Sequence, residues 1–190
     1  MSDFPLIVEK VAGATSETIA VGILNKKIDF AGGVATLVQG VYIKDENKHA
    51  DTYLKDVFDV SLRNIEEANI EDGLLEVVAS NLKSIDLYAA NVATEVEVAT
   101  LLFYEGACYI QNGSKNLKII VFDPPKSWEV DFENGSGRVK PGEIYLIATQ
   151  AFLSVFDVSP FAQKGEIDLV EIIDGLATEI NVSQNQSEIA

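Results

Sequence analysis

The sequence predicts an α+β layered sandwich, and three observations point there. Runs rich in Val, Ile, Leu and Tyr with short turns between them fill the first and middle thirds, whereas other stretches carry apolar residues at helical spacing. The helical stretches are grouped between strand-rich regions, an order that suggests α+β layers. The length of 190 residues, 47% of them hydrophobic and 23% charged, is enough for one folded core and leaves little room for a second, so a single domain over 1–190 is expected.

Strands are expected first, over Thr18 to Leu24 and Val34 to Ile43, with polar Asn25-Lys26-Lys27 and Gly32-Gly33 marking a turn or bulge. From His49 the period changes. Leu54, Val57, Phe58, Ser61, Leu62 and Ile65 fall on one face, and Lys55, Asp56, Asp59, Arg63 and Glu66 on the other, which predicts an amphipathic helix. A second helix is expected from near Asp72, its cap, to Asn91, with Leu75, Val78, Leu82 and Ile85 as its stripe. Val96 to Tyr104, Ala107 to Gln111 and Leu117 to Phe122 then read as a meander turning at Glu105-Gly106 and at Asn112-Gly113-Ser114. Asp123-Pro124-Pro125 is expected to forbid continued pairing before a half-exposed strand around Trp128, Val130 and Phe132. Asn134 to Gly142, with its glycines, reads as a loop, and Glu143 to Ala148 as an apolar strand. A short helix over Gln150 to Val158 should stop at Pro160. Leu169, Ile172, Ile173, Leu176, Ala177 and Ile180 form the stripe of a last helix. Leu62, Ile65, Ile173 and Leu176 are expected to be buried where these helices lie on sheets.

Charge and composition exclude several function classes. Fourteen Lys and Arg against 30 Asp and Glu leave a net charge of −16, which repels nucleic-acid phosphates and anionic lipid surfaces. One Cys and one His preclude an internal disulfide and the usual zinc ligand sets. With no signal-like N-terminus and no apolar run of spanning length, a cytoplasmic location is expected. Asn-x-Ser sequons at Asn112, Asn134, Asn181 and Asn185 therefore read as turn chemistry.

No catalytic constellation stands out from residue spacing. His49 has no nucleophile motif beside it and is assigned no role, and Cys108, between Ala107 and Tyr109, reads as a buried structural thiol. The acidic pairs Asp45-Glu46, Glu66-Glu67 and Glu71-Asp72 lack the alternation of a calcium loop and read as solvated faces. Gly135-x-Gly137 neither follows a buried strand nor opens a helix, so it reads as turn chemistry and not as a phosphate cradle.

One arrangement resembles a known family. The stretch Glu95 to Val121, with Gly106-Ala107-Cys108-Tyr109-Ile110-Gln111-Asn112-Gly113-Ser114 inside it, is similar to the hairpin of the PPM-type metal-dependent serine/threonine phosphatases. Lys140 to Phe152 resembles that family's Pro-Gly-Asp, apolar strand and Ser-Asp-Gly-Leu motif. Thr36-Leu37-Val38-Gln39-Gly40 resembles the strand ending in Asp-Gly before the first long helix, and Ser183 to Ala190 the lead into the last strand, with its Asp-Asn. The resemblance implies an αββα sandwich of two antiparallel sheets with helices on the outer faces, and a last strand cut short at Ala190.

The departures from the family pattern set the expected function. Gln39 and Gln150 stand where the resemblance expects metal-binding Asp, Ser187-Glu188 replaces Asp-Asn, and Gly113 occupies the frame of the turn Asp. An amide oxygen carries no charge, and a pair of Mg or Mn ions needs a bridging carboxylate. The degenerate site Gln39, Gly40, Gly113, Gln150, Ser187 and Glu188 thus implies a pseudophosphatase without metal cofactor, with a binding or regulatory role toward a protein or another domain of a longer chain. Two alternatives remain: an active Mn- or Mg-dependent phosphohydrolase using Asp29, Asp123 or Asp157, or an unrelated α+β scaffold module.

Overall fold

The computed structural model describes residues 6–12, 16–30, 32–69, 71, 73–163 and 168–182. The chain opens with the long hairpin β1 (Ile19–Phe30) and β2 (Gly33–Lys44), followed by helices α1 (Ala50–Glu66) and α2 (Leu74–Val92). Strands β3 (Glu95–Tyr104), β4 (Ala107–Asn112), β5 (Leu117–Asp123), β6 (Lys126–Glu129), β7 (Asn134–Arg138) and β8 (Ile144–Thr149) come next. Helix α3 (Gln150–Val155), a 3-10 turn over Ser159–Ala162 and helix α4 (Leu169–Val182) end the described chain. Two antiparallel sheets result, a five-stranded one in the order β1-β2-β3-β4-β7 and a three-stranded one in the order β6-β5-β8.

Strand alternation decides what lies between the layers. Val21, Tyr42, Ala99, Leu101, Cys108 and Ile110 of the larger sheet meet Leu117, Ile119, Val121 and Ile147 of the smaller one in a shared core. The intervening residues of the larger sheet, Ala20, Ala35, Leu37, Val41, Ile43, Val98 and Leu102, pack instead under Leu54, Val57 and Ile65 of α1 and Val77, Val78 and Ile85 of α2. Ala148 and Leu146, on the other side of β8, gather with Phe152, Phe156, Leu176 and Ile180 of α3, its C-cap and α4. The layers are therefore helix, sheet, sheet, helix, as the αββα expectation required. At Gly40 the sheets approach so closely that an added Cβ would stand 2.6 Å from Ile147 Cγ2.

Four local expectations are corrected. Asn134 to Arg138 is not a loop but edge strand β7, with Ile110 opposite Gly135 and Cys108 opposite Gly137. Its glycines carry no apolar pattern to read, and Gly135 is needed because the Phe132 ring covers it, 2.4 Å from where a Cβ would be. Asp123-Pro124-Pro125 does not end the pairing: it closes the β5–β6 hairpin, Asp123 opposite Lys126, with a cis bond between the prolines. Of the four helix residues expected to be buried, Ile65 is, while Leu62, Ile173 and Leu176 are half-buried, Leu62 and Leu176 packing against their clusters from the edge. Helix α2 starts at Leu74 behind Gly73, whose positive φ of 90° breaks the chain direction, and Asp72 lies outside the described residues.

Candidate functional site

One end of the sandwich collects the polar side chains that strand ends and loops present there. Lys44 is paired with Ile19 and with Glu95, so the end of β2 and the start of β3 coincide. Leu117 is paired with Thr149, and Gln150 N–H donates to Asn116 O at 2.7 Å, which brings the β4–β5 loop and the β8–α3 junction to the same end.

Two carboxylates organise this end. Asp45, at the exit of β2, is buried and accepts from His49 N–H at 2.8 Å, Thr94 Oγ1 at 3.3 Å and Asn47 Nδ2 at 3.4 Å. Burial pushes its carboxyl up, but the hydrogen bonds from His49, Asn47 and Thr94 outweigh this and hold it below the ordinary carboxylate value. It ties the first residue before α1 to the strand end, so the acidic pair Asp45-Glu46 is not the fully solvated face expected. Glu97, on the side of β3 that faces the smaller sheet, accepts from Lys115 N–H at 2.8 Å, Asn116 N–H at 2.7 Å, Asn116 Nδ2 at 2.9 Å and the Ser114 hydroxyl. Ser114 Oγ in turn accepts from Leu117 N–H at 2.7 Å, closing the loop into β5. Thr149 Oγ1 caps α3 through Phe152 N–H at 3.1 Å.

Of the residues singled out from the sequence, Gly113 and Gln150 lie at this end, while Gln39 and Gly40 do not. Gln39 lies in the middle of β2, between Leu37 and Val41, on the face turned toward α1 and α2 and away from the smaller sheet. Its Nε2 donates to Thr100 Oγ1 at 3.0 Å. Gly40 faces the other way, into the inter-sheet core, and Gly113 is exposed in the β4–β5 loop. Gln150 is at the sandwich end as the first, exposed residue of α3. Ser187 and Glu188 lie outside the described residues.

The alternative carboxylates are dispersed as well. Asp29 is exposed and sits opposite Val34 at the hairpin end of β1 and β2, far along the strands from Asp45. Asp123 is paired with Lys140 at 2.6 Å by the β5–β6 turn, and Asp157 is spent on Ser159 N–H and Oγ, both at 2.9 Å. Cys108 is buried, and burial followed by the Glu143 charge pushes its thiol well up, as a structural thiol requires.

A pair of hard divalent cations does not fit these donors. The oxygens of Asp45 and Glu97 already receive protein N–H and O–H groups, and Gln150 brings an uncharged amide. Among the described residues, no three His, Cys, Asp or Glu side chains gather closely enough to hold a metal ion. Sequence reasoning missed both organising carboxylates. The available signals were a charge at Glu97 just ahead of the run Val98 to Leu102, and Asp45 between the end of β2 and the start of α1.

No family model matches the chain, and no curated protein is found similar to it. Among solved structures, the PP2C phosphatase domain with a fragment of the regulatory domain of the cell fate determinant SpoIIE from Bacillus subtilis is similar, at 11% identity and a TM-score of 0.51. The match covers 93% of this chain and 62% of that one, so the chain spans less than two thirds of the structure it resembles. At this identity the likeness concerns architecture: the chain shares the mixed α+β fold, two antiparallel sheets with helices, of a PP2C phosphatase domain.

Proposed function

We propose that this chain is a phosphatase-like domain that binds or regulates and does not hydrolyse phosphate esters. The observation that carries the reading is the occupied state of Asp45 and Glu97, whose oxygens are committed to His49, Thr94 and the Ser114–Asn116 loop. Two-metal hydrolysis needs free anionic oxygens, one of them bridging, and Gln150 at the β8–α3 junction offers only a dipole. The partner is a protein or another domain of a longer chain, since a charge of −16 opposes nucleic acid and anionic membrane surfaces. Among the described residues no helix is long and apolar enough to cross a membrane.

The test is calorimetry of the 190-residue chain with Mn and with Mg, together with an aryl phosphate assay. Both should be silent. Metal-dependent turnover overturns the proposal. One observation favours the competing reading of an active Mn- or Mg-dependent phosphohydrolase: Asp45 stands ionised at the strand exit before the first long helix. Binding heat that Asp45→Asn abolishes would decide for that reading.

A further inference from the structure

The interface between the larger sheet and the helix pair is apolar at both ends and polar across its middle. Val41, Val98, Val57 and Ile85 belong to one apolar cluster, and Leu37, Leu102, Ile65 and Val78 to another. Between them, one residue from each element is polar: Gln39 on β2, Thr100 on β3, Gln111 on β4, Ser61 on α1 and Asn81 on α2. All five are at most 1% exposed. Gln39 is opposite Thr100, and Thr100 opposite Gln111, so the three strands present one continuous row. The helices present the pair Asn81 Nδ2 and Ser61 Oγ, 2.9 Å apart.

This belt is internally unfinished. Gln39 Nε2 reaches Thr100 Oγ1 at 3.0 Å, yet Gln39 Oε1, Asn81 Oδ1 and both Gln111 side-chain atoms have no protein partner. Leaving four such atoms dry would cost a large share of the marginal stability of a domain. Whichever way the Gln111 amide is turned, one donor and one acceptor stay open there. That mixture suits a ligand that both donates and accepts, and it disfavours a bare cation, which the amide N–H2 would repel. Gly113, exposed at the edge of the belt, leaves space beside it: a Cβ there would stand 3.4 Å from Gln111 Nε2 and 3.6 Å from Leu82 Cδ2.

We infer that the belt is a binding site for internal water, held between Gln39, Gln111 and Asn81 and joining the helix pair to the sheet. Water bridges make buried polar groups of this kind nearly as well satisfied as direct contacts do. The site is independent of the phosphatase-like reading, since it lies on the opposite face of the sheet from the inter-sheet core.

The experiment is a water-contact NMR measurement on the isotope-labelled 190-residue chain. Cross-peaks between water and the side-chain amide protons of Gln39 and Gln111 should appear with the sign of long-lived contacts. In a folded Gln111→Leu variant, those of Gln39 should be lost or weakened too. Absence of such cross-peaks in the wild type overturns the inference, a result that depends on no variant folding.

Discussion

The sandwich end and the belt under the helices are both polar clusters inside one small fold, but they are built on opposite terms. At the sandwich end two carboxylates meet backbone N–H groups that the strand exit and the β4–β5 loop leave open, and the bonds they accept are charge-assisted. In the belt neutral amides and hydroxyls face one another across packed elements, and several of their atoms find nothing in the protein. The difference teaches that the charged groups here gather open backbone N–H donors, whereas the neutral groups meet other side chains across packed elements. Gln39 and Thr100 are separated by 61 residues, against 18 and 19 for Glu97 and the loop amides it holds.

The largest expected effect falls on the charged side. Glu97→Ala removes the acceptor for Lys115 N–H, Asn116 N–H and Asn116 Nδ2 together, and should cost about 3 kcal/mol in urea unfolding, as charged hydrogen bonds of this sort do. Glu97→Gln keeps the shape but puts a donor against donors, and should cost about half as much. Equal stability of Glu97→Ala and wild type would mean that the loop holds itself.

A smaller effect is expected in the belt. Ser61→Ala leaves Asn81 Nδ2 without its acceptor at 2.9 Å and should cost about 1 to 2 kcal/mol. Asn81→Leu with Ser61→Ala should cost less than the sum of the two single changes, because the partners are lost together. Strict additivity in this double-mutant cycle would show that the two helices are not coupled through this contact.

The same contrast explains what the sequence made legible. The helix stripes of α1 and α4 and most strands follow from apolar spacing, since burial writes itself into period. In the larger sheet two readings fail: β1 runs through Asn25-Lys26-Lys27, expected as a turn or bulge, to Phe30, because its exposed polar residues still pair with β2, and β7, Asn134-Gly135-Ser136-Gly137-Arg138, packs through backbone and a neighbouring Phe132 ring. Gln39 drew attention for the wrong reason. It is buried at a special position, but β2 continues five residues past it to Lys44, so it is a mid-strand residue under the helices and not a strand-end ligand. A one-residue change of parity would have put it in the inter-sheet core, and no pattern in Thr36 to Gly40 alone reveals that parity. The roles of Glu97 and Asp45 were hard to read for another reason: most of their partners are backbone amides of a loop and a helix start, which carry no residue signature.

The smallest effect, and the one that isolates Asp45, is a pH dependence. Its folded carboxyl lies below its ordinary value of 3.8, so the unfolded chain takes up the proton first as pH falls. The stability Asp45 contributes is therefore fully present above that value and is lost as pH drops through the lower folded value. Urea midpoints of wild type and Asp45→Asn should differ by a constant amount from pH 7 down to about 5. Below that the two should converge, because protonation of Asp45 weakens the acceptor for His49 N–H and Thr94 Oγ1 in the wild type alone. Reversed charge logic predicts the opposite. If the carboxyl were raised by burial alone, the wild type would gain on the variant as the solution became acidic. A gap between the two proteins that is unchanged at pH 3 would show that Asp45 supports α1 through shape and not through its charge.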